Sequence, residues 1–551
     1  MLCDPPAFQP PSETMASPRR DTEAQKDEVI EMSTVRDHEA DEEFSLHELG
    51  DHYHSTSQDA GDMRRMGRSQ ELVRHFRSWS MVSFVAVATS AWEFSLFGIT
   101  PGLTDGGRPV LLWAFLWSFL GFIPVYLSMA EMASMAPIAG AQYHWVSEFA
   151  PDKYQKMLSY LTGWTSTLAW QAGNAQGMFL VGTLVQAIIS INRVEYEAAY
   201  WQGSLLVMAI SLIALAANVY GARLFPHWQN LVFAIHIVAY FAFLAPVWVN
   251  APRVESSKVW TGFENSGGWP SMSLAVLVGQ MPGITTQMGI DTAAHMSEEV
   301  RDAAKTIPRV MMITFGINAS LTWLTLVTAV YHIPDVAQAL AEPTGYPAIS
   351  ILKSAASLPW VNAILVVIVV LLMFANLSYL AAVSRDLFAF ARDRGLPFSW
   401  WIARVDKSRG IPANACIVSA GVSILLSLTY VGSPVAFYAI TSLCIVALLQ
   451  CYCLSIGCML YRRICHPETL PYARFSLGRY GILVNILAIA ASMWGFFWCF
   501  WPQSYPVTAA GFNWASPIFV SVLLIAMVYY AFAGRHNYQG PVTLVEGRKR
   551  S

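Results

Sequence analysis

Charge is what this chain has least of. Only 13% of its 551 residues are Asp, Glu, Lys or Arg, while 55% are hydrophobic, 20 are Trp and the mean hydropathy is +0.41. That scarcity excludes an ordinary soluble domain and implies a chain solvated mostly by lipid. Catalytic signatures are missing as well. No GxSxG, HExxH or P-loop sequence occurs, so neither a membrane enzyme nor an ATP-driven pump is expected. The eight cysteines fall mostly inside apolar runs, without the spacing to histidines that zinc sites use. They read as packing residues, and no metal or cofactor is expected. A cleavable signal peptide and a nucleic-acid partner are likewise not expected.

Long apolar runs are what the chain does have. None occurs before Trp79, and residues 1–78 are acidic, polar and poor in aromatics, which predicts a disordered tail. Within it, Asp51, His52, Tyr53 and His54 read as solvated tail in preference to a metal site, and Lys26, its only lysine, is a candidate ubiquitin acceptor. From residue 79 to 534 about twelve helices of membrane-spanning length are expected: 79–103, 109–130, 157–190, 201–220, 229–250, 272–295, 309–331, 359–390, 413–431, 435–460, 480–501 and 512–533. A short tail, 535–551, follows. With the amino terminus in the cytosol, only Arg108, Arg193, Arg253, Lys258 and Lys353 of the 34 Lys and Arg face outward. The positive-inside bias therefore predicts both termini on the cytosolic side.

Two of the runs are interrupted. The sixth loses helical character where Pro282, Gly283 and Gly289 fall among threonines and a glutamine, and the first carries TSAWEFS over 89–95, with an acid among apolar residues. In hydrocarbon every backbone polar group needs a partner, so irregular backbone is tolerated only where it lines a cavity or is buried in protein. Breaks in corresponding positions of two halves point to an inverted-repeat transporter with its site near the bilayer midplane.

Three further stretches are specific: MAEMASMAPIAGAQYHWVSEFAP (129–151), DTAAHMSEEV (291–300) with IPR (307–309), and SRDLFAFARDRGLP (384–397). With them the chain, over about residues 75–535, resembles the amino acid–polyamine–organocation superfamily, and within it the fungal amino acid and choline permeases. The resemblance implies an all-α LeuT-type fold, two inverted five-helix repeats plus two helices, with helices 1 and 6 broken. It also implies secondary active transport, usually proton-coupled, across the plasma membrane, with the vacuolar membrane as the other candidate location.

Glu93 is the sharpest single residue, because an acid at a helix centre costs about 2.5–3.5 kcal/mol on insertion scales. It is read either as a binder of a proton, cation or donor in a cavity, or as a structural carboxylate bonded to neighbouring helices. The resemblance places substrate contacts along Ser90, Ala91, Trp92, Glu93 and Phe94, although Trp-Glu-Phe departs from the family's glycine pattern there. Trp92 with Glu93 could then hold an ammonium group. In the sixth helix the expected contacts are Gly283, Thr285 and Thr286; Trp170, Asn174 and Asn376 on helices 3 and 8 are contacts or interhelical glue. His236 is the candidate proton-coupling partner, or a neutral core histidine. Asp291, Glu298, Glu299 and Arg385 are expected to gate.

The function expected is a permease importing an amino acid or related small amine, proton-coupled, by alternating access. The rivals are a choline-type quaternary amine or GABA permease of the same fold, and a nutrient receptor signalling through its tail. The partners are the small-molecule substrate, a proton and the lipid bilayer; the sequence leaves the oligomeric state open.

Overall fold

The computed structural model describes residues 54–545 apart from 194, 222–223, 407, 433–435 and 510. Lys26 and residues 51–53 lie outside these. Among the described residues eleven helices are long and apolar enough to cross a membrane, and a twelfth apolar segment, Met272–Thr285, is shorter because it is interrupted. The chain is a multi-pass helical membrane protein, as expected.

The order begins with α1 (Ser57–Arg65), then α2 (Ser78–Thr89), α3 (Ala91–Phe97) and α4 (Thr100–Thr104), which together form the first, broken membrane helix. Next come α5 (Arg108–Met135), the short α6 (Ala141–Phe149), α7 (Gln155–Asn192), α8 (Tyr200–Gly221) and α9 (Phe225–Asn250). The sixth membrane element is split into α10 (Met272–Val278), α11 (Met281–Thr285) and α12 (Thr292–His295). It is followed by α13 (Ala303–Tyr331), α14 (Leu358–Arg392), α15 (Ala413–Gly432), α16 (Ala436–Cys465), α17 (Gly481–Trp498) and α18 (Ala515–Tyr529). A two-residue ribbon pairs β1 (Asp105–Gly106) with β2 (Glu264–Asn265), antiparallel, at the end of the bundle reached by α4. Packing is between elements far apart in sequence: α16 lies on α7, α13 on α5 and α15 on α8.

The long helices carry apolar residues all round, as lipid on one side and protein on the other require. Leu231, Val238 and Phe241 of α9 are exposed on its outer face, while Tyr240, Phe243 and Val247 are buried.

The expected disorder is corrected over residues 56–77. There α1 is started by a capping box: Thr56 Oγ1 accepts from Asp59 N, and Asp59 Oδ2 accepts from Thr56 N, each at 3.1 Å. The segment then straps one face of the bundle. Arg65 donates to Glu148 at 2.8 Å, Arg68 pairs with Asp393, and Arg74 donates to the Ser297 carbonyl at 2.9 Å. Phe76 lies opposite Val300 in a parallel bridge, donating its N–H to the Glu299 carbonyl at 3.0 Å and accepting from the Arg301 N–H at 3.1 Å. The far end of the chain folds onto the same face, with Tyr538 buried against Ser159 and the Val542 N–H donated to Ser147.

Candidate functional site

Helix α2 ends at Thr89 because Ser90 turns left-handed, at φ 39°, a conformation most L-residues avoid. Its hydroxyl donates to the Val87 carbonyl at 2.9 Å, and the chain restarts as α3. In the sixth element α11 stops at Thr285, and Gly289 adopts φ 95°, where a side chain would be strained. A Cβ on Gly289 would lie 3.3 Å from Thr89 Cγ2. The two interruptions therefore meet.

Beside this meeting point lies a cavity of about 300 Å³, at the lower end of the size of small-molecule sites. Ala91, Phe94 and Ser95 reach it from α3, Thr285 and Thr286 from the sixth element, Gln176 from α7, Asn376 and Tyr379 from α14, and Cys444 from α16.

Five of the residues expected to contact substrate are thus brought together: Ala91, Phe94, Thr285, Thr286 and Asn376. Ser90, Trp92, Glu93, Trp170, Asn174 and Gly283 are not on this wall. Helical period explains Trp92 and Glu93: positions 91, 94, 95 and 98 share one face of the first membrane element, leaving 92 and 93 on the other, while Ser90 is the left-handed residue at the break itself. Trp92 stacks on Phe243 of α9 with ring centroids 5.8 Å apart. On α7 the cavity face is Gly173, Gln176, Gly177 and Leu180, so Asn174 points away and donates to Ser423 at 2.8 Å. Trp170 packs instead on Tyr379 and His295. Gly283 is a packing glycine, because a Cβ there would sit 2.6 Å from the Ala114 backbone of α5.

Glu93 has a different partner. Its Oε1 lies 2.8 Å from His236 Nδ1, and both side chains are buried. The same ring nitrogen receives the Trp92 indole N–H at 3.2 Å. This polar cluster joins α3 to α9, behind the cavity wall.

Asp291, also off the wall, accepts from Gln142 at 2.6 Å and from Tyr452 at 2.8 Å. Glu299 pairs with Arg385 at 2.6 Å, and Glu298 receives a two-pronged contact from Arg392 at 2.8 and 3.0 Å together with the Ala139 N–H. Burial alone would raise the Glu298 carboxyl; the Arg392 guanidinium outweighs it and holds the group below its ordinary value. These pairs tie the end of the sixth element to α14.

Gln176, Cys444 and Tyr346 belong to the wall without having been expected there. Gln176 was findable, since Gly173, Gln176, Gly177 and Leu180 repeat at helical spacing; Cys444 and Tyr346 carry no such signal.

Two interrupted membrane helices meeting at a cavity of small-molecule size define a multi-pass transporter. Comparison with known proteins agrees. A family model described as "Amino acid permease" matches residues 78–526, and the chain belongs to that family. It is 28% identical to the amino-acid permease BAT1 of Arabidopsis thaliana, over 88% of this chain and 97% of that one. It is 25% identical to amino-acid permease 2 of Neurospora crassa, over 89% and 90%. It is also 24% identical to the choline transporter of Saccharomyces cerevisiae, over 85% and 83%.

Proposed function

We propose that the protein imports an amino acid or related small amine by proton-coupled alternating access. The observation that carries this reading is the cavity between the two helix interruptions, where a solute would touch elements from both halves of the bundle. The names of the relatives, amino-acid permeases and a choline transporter, support the substrate class.

For the proton we assign the Glu93 and His236 pair. The buried imidazole and carboxylate stand at hydrogen-bond distance, so one proton can pass between them. The pair joins the first and fifth membrane helices, so a change in its protonation alters how they pack. The pairs Glu298–Arg392 and Glu299–Arg385 are assigned to the gate on the face strapped by residues 56–77. We assign that face and both termini to the cytosol, which the distribution of Lys and Arg supports, and the protein to the plasma membrane.

Uptake of radiolabelled amino acids, GABA, choline and spermidine in cells stripped of their own permeases, at pH 5 and pH 7.5, tests the reading. Saturable uptake of an amino acid or amine, faster at pH 5, is expected. Surface-expressed protein that moves none of them overturns transport; uptake indifferent to pH overturns proton coupling alone.

A further inference from the structure

The cavity wall is uncharged. Among the described residues that line it, none is Asp, Glu, Lys, Arg or His. Several of its hydrogen-bond donors are already committed: Thr285 and Thr286 donate to the Met281 and Gly283 carbonyls, and the Asn376 amide to those of Leu372 and Gly177. Gln176 differs. It is 8% exposed, lies on the wall, and its amide makes no hydrogen bond among the described residues. It therefore offers both a donor and an acceptor to whatever occupies the cavity.

A solute entering such a space gives up its water. A side chain bearing net charge would meet no counter-charge there, and an isolated buried ion is far more costly than a hydrogen-bonded amide or hydroxyl. The carboxylate nearest in sequence, Glu93, points behind the wall to His236. Tyrosine rings such as Tyr346 and Tyr379 can attract a cation by their faces but do not neutralise it. A zwitterion, in contrast, brings its own compensating charges, and only its side chain must match the wall.

Resting on the transport reading above, we propose that the substrate is a zwitterion whose side chain carries no net charge, and that Gln176 is a specificity-determining residue that meets that side chain. Cationic amino acids, polyamines, choline and acidic amino acids are poor substrates for the same reason: the wall holds no partner for their charge.

The test is uptake of labelled leucine, glutamine, lysine, glutamate and choline by cells expressing wild type, Gln176→Glu or Gln176→Asn, with surface protein quantified by labelling. Wild type is expected to favour leucine or glutamine at least tenfold in kcat/KM over the other three. Gln176→Glu adds a carboxylate of nearly the same shape and is expected to raise the lysine-to-leucine ratio at least tenfold, while Gln176→Asn leaves charge selectivity in place. Wild type that carries lysine, glutamate or choline as well as leucine overturns the inference and leaves the transport reading intact. An unchanged lysine-to-leucine ratio in surface-expressed Gln176→Glu overturns the role of Gln176. Should that variant fail to reach the surface, the wild-type panel alone decides the substrate class, and Gln176→Asn decides the residue: a changed glutamine-to-leucine ratio supports its role and an unchanged ratio overturns it. Absence of uptake of all five by surface-expressed wild type overturns the inference.

Discussion

Glu93 Oε1 and the Trp92 indole N–H both address one atom, His236 Nδ1, at 2.8 and 3.2 Å. An indole N–H only donates, and an ionised carboxylate only accepts. With a proton on Nδ1 the ring satisfies Glu93 and leaves Trp92 unmatched; with the proton on Glu93 the ring accepts from its neighbours. The site can thus settle into either of two arrangements according to where one proton resides.

Glu93→Gln, which keeps the shape and removes the titration, is expected to abolish the stimulation of uptake by acid and to lower uptake at pH 5 at least tenfold. His236→Ala should do the same. Uptake measured from pH 5 to 7.5 checks both, and an unaltered pH profile in either variant excludes the pair as the coupling site.

Asp59 closes the capping box of α1 and also receives the Asp302 and Ala303 N–H groups, at 3.0 and 3.1 Å, at the start of α13. Asp59→Ala removes both services. A single helix cap is worth about 0.5–2 kcal/mol, and the variant should lower the thermal unfolding midpoint of detergent-solubilised protein accordingly.

Glu148, on α6 and outside the membrane-spanning helices, gives a pH dependence of known sign. Burial alone would raise its carboxyl, but the His144 and Arg65 contacts outweigh burial and hold it down at about 2, against an ordinary 4.5. A depressed carboxyl contributes stability above its unfolded value, lost as pH falls from 4.5 towards 2. The contribution is roughly 3 kcal/mol at neutral pH. Glu148→Gln should lower the thermal midpoint at pH 7 and leave a flatter profile below pH 5.

Asp105, in the β1 ribbon, has the opposite sign. Burial pushes its carboxyl up to about 7, offset only in part by the Trp269 indole, so the folded state holds the proton more tightly than the unfolded chain. The stability it contributes is complete below 3.8 and is lost as pH rises through about 7. Asp105→Asn should raise the thermal midpoint at pH 8 by several degrees and leave it nearly unchanged at pH 4.

Much of the fold was legible because the bilayer imposes it. A run of about 20 apolar residues has few alternatives to a spanning helix, and the twelve expected runs correspond to the eleven long helices and the interrupted Met272–Thr285. The interruptions were legible through composition, an acid among apolar residues over 89–95 and Pro282, Gly283 and Gly289 in the sixth run, although the turns themselves fall at Ser90 and Gly289. The strap over 56–77 was not. Its composition suggested disorder, and it is ordered by arginines that find Glu148, Asp393 and the Ser297 carbonyl only once distant elements have packed. The capping box at Thr56 and Asp59 was its one local sign.

What the sequence determined alone is a multi-pass helical membrane chain with breaks in its first and sixth helices, since hydrophobic length and backbone chemistry are local properties. What only the tertiary structure decided is which face of each broken helix meets the cavity. Rotation about a helix axis is fixed by contacts between elements far apart in sequence. Those contacts turned Phe94 and Gln176 towards the cavity, and Glu93 away from it to His236.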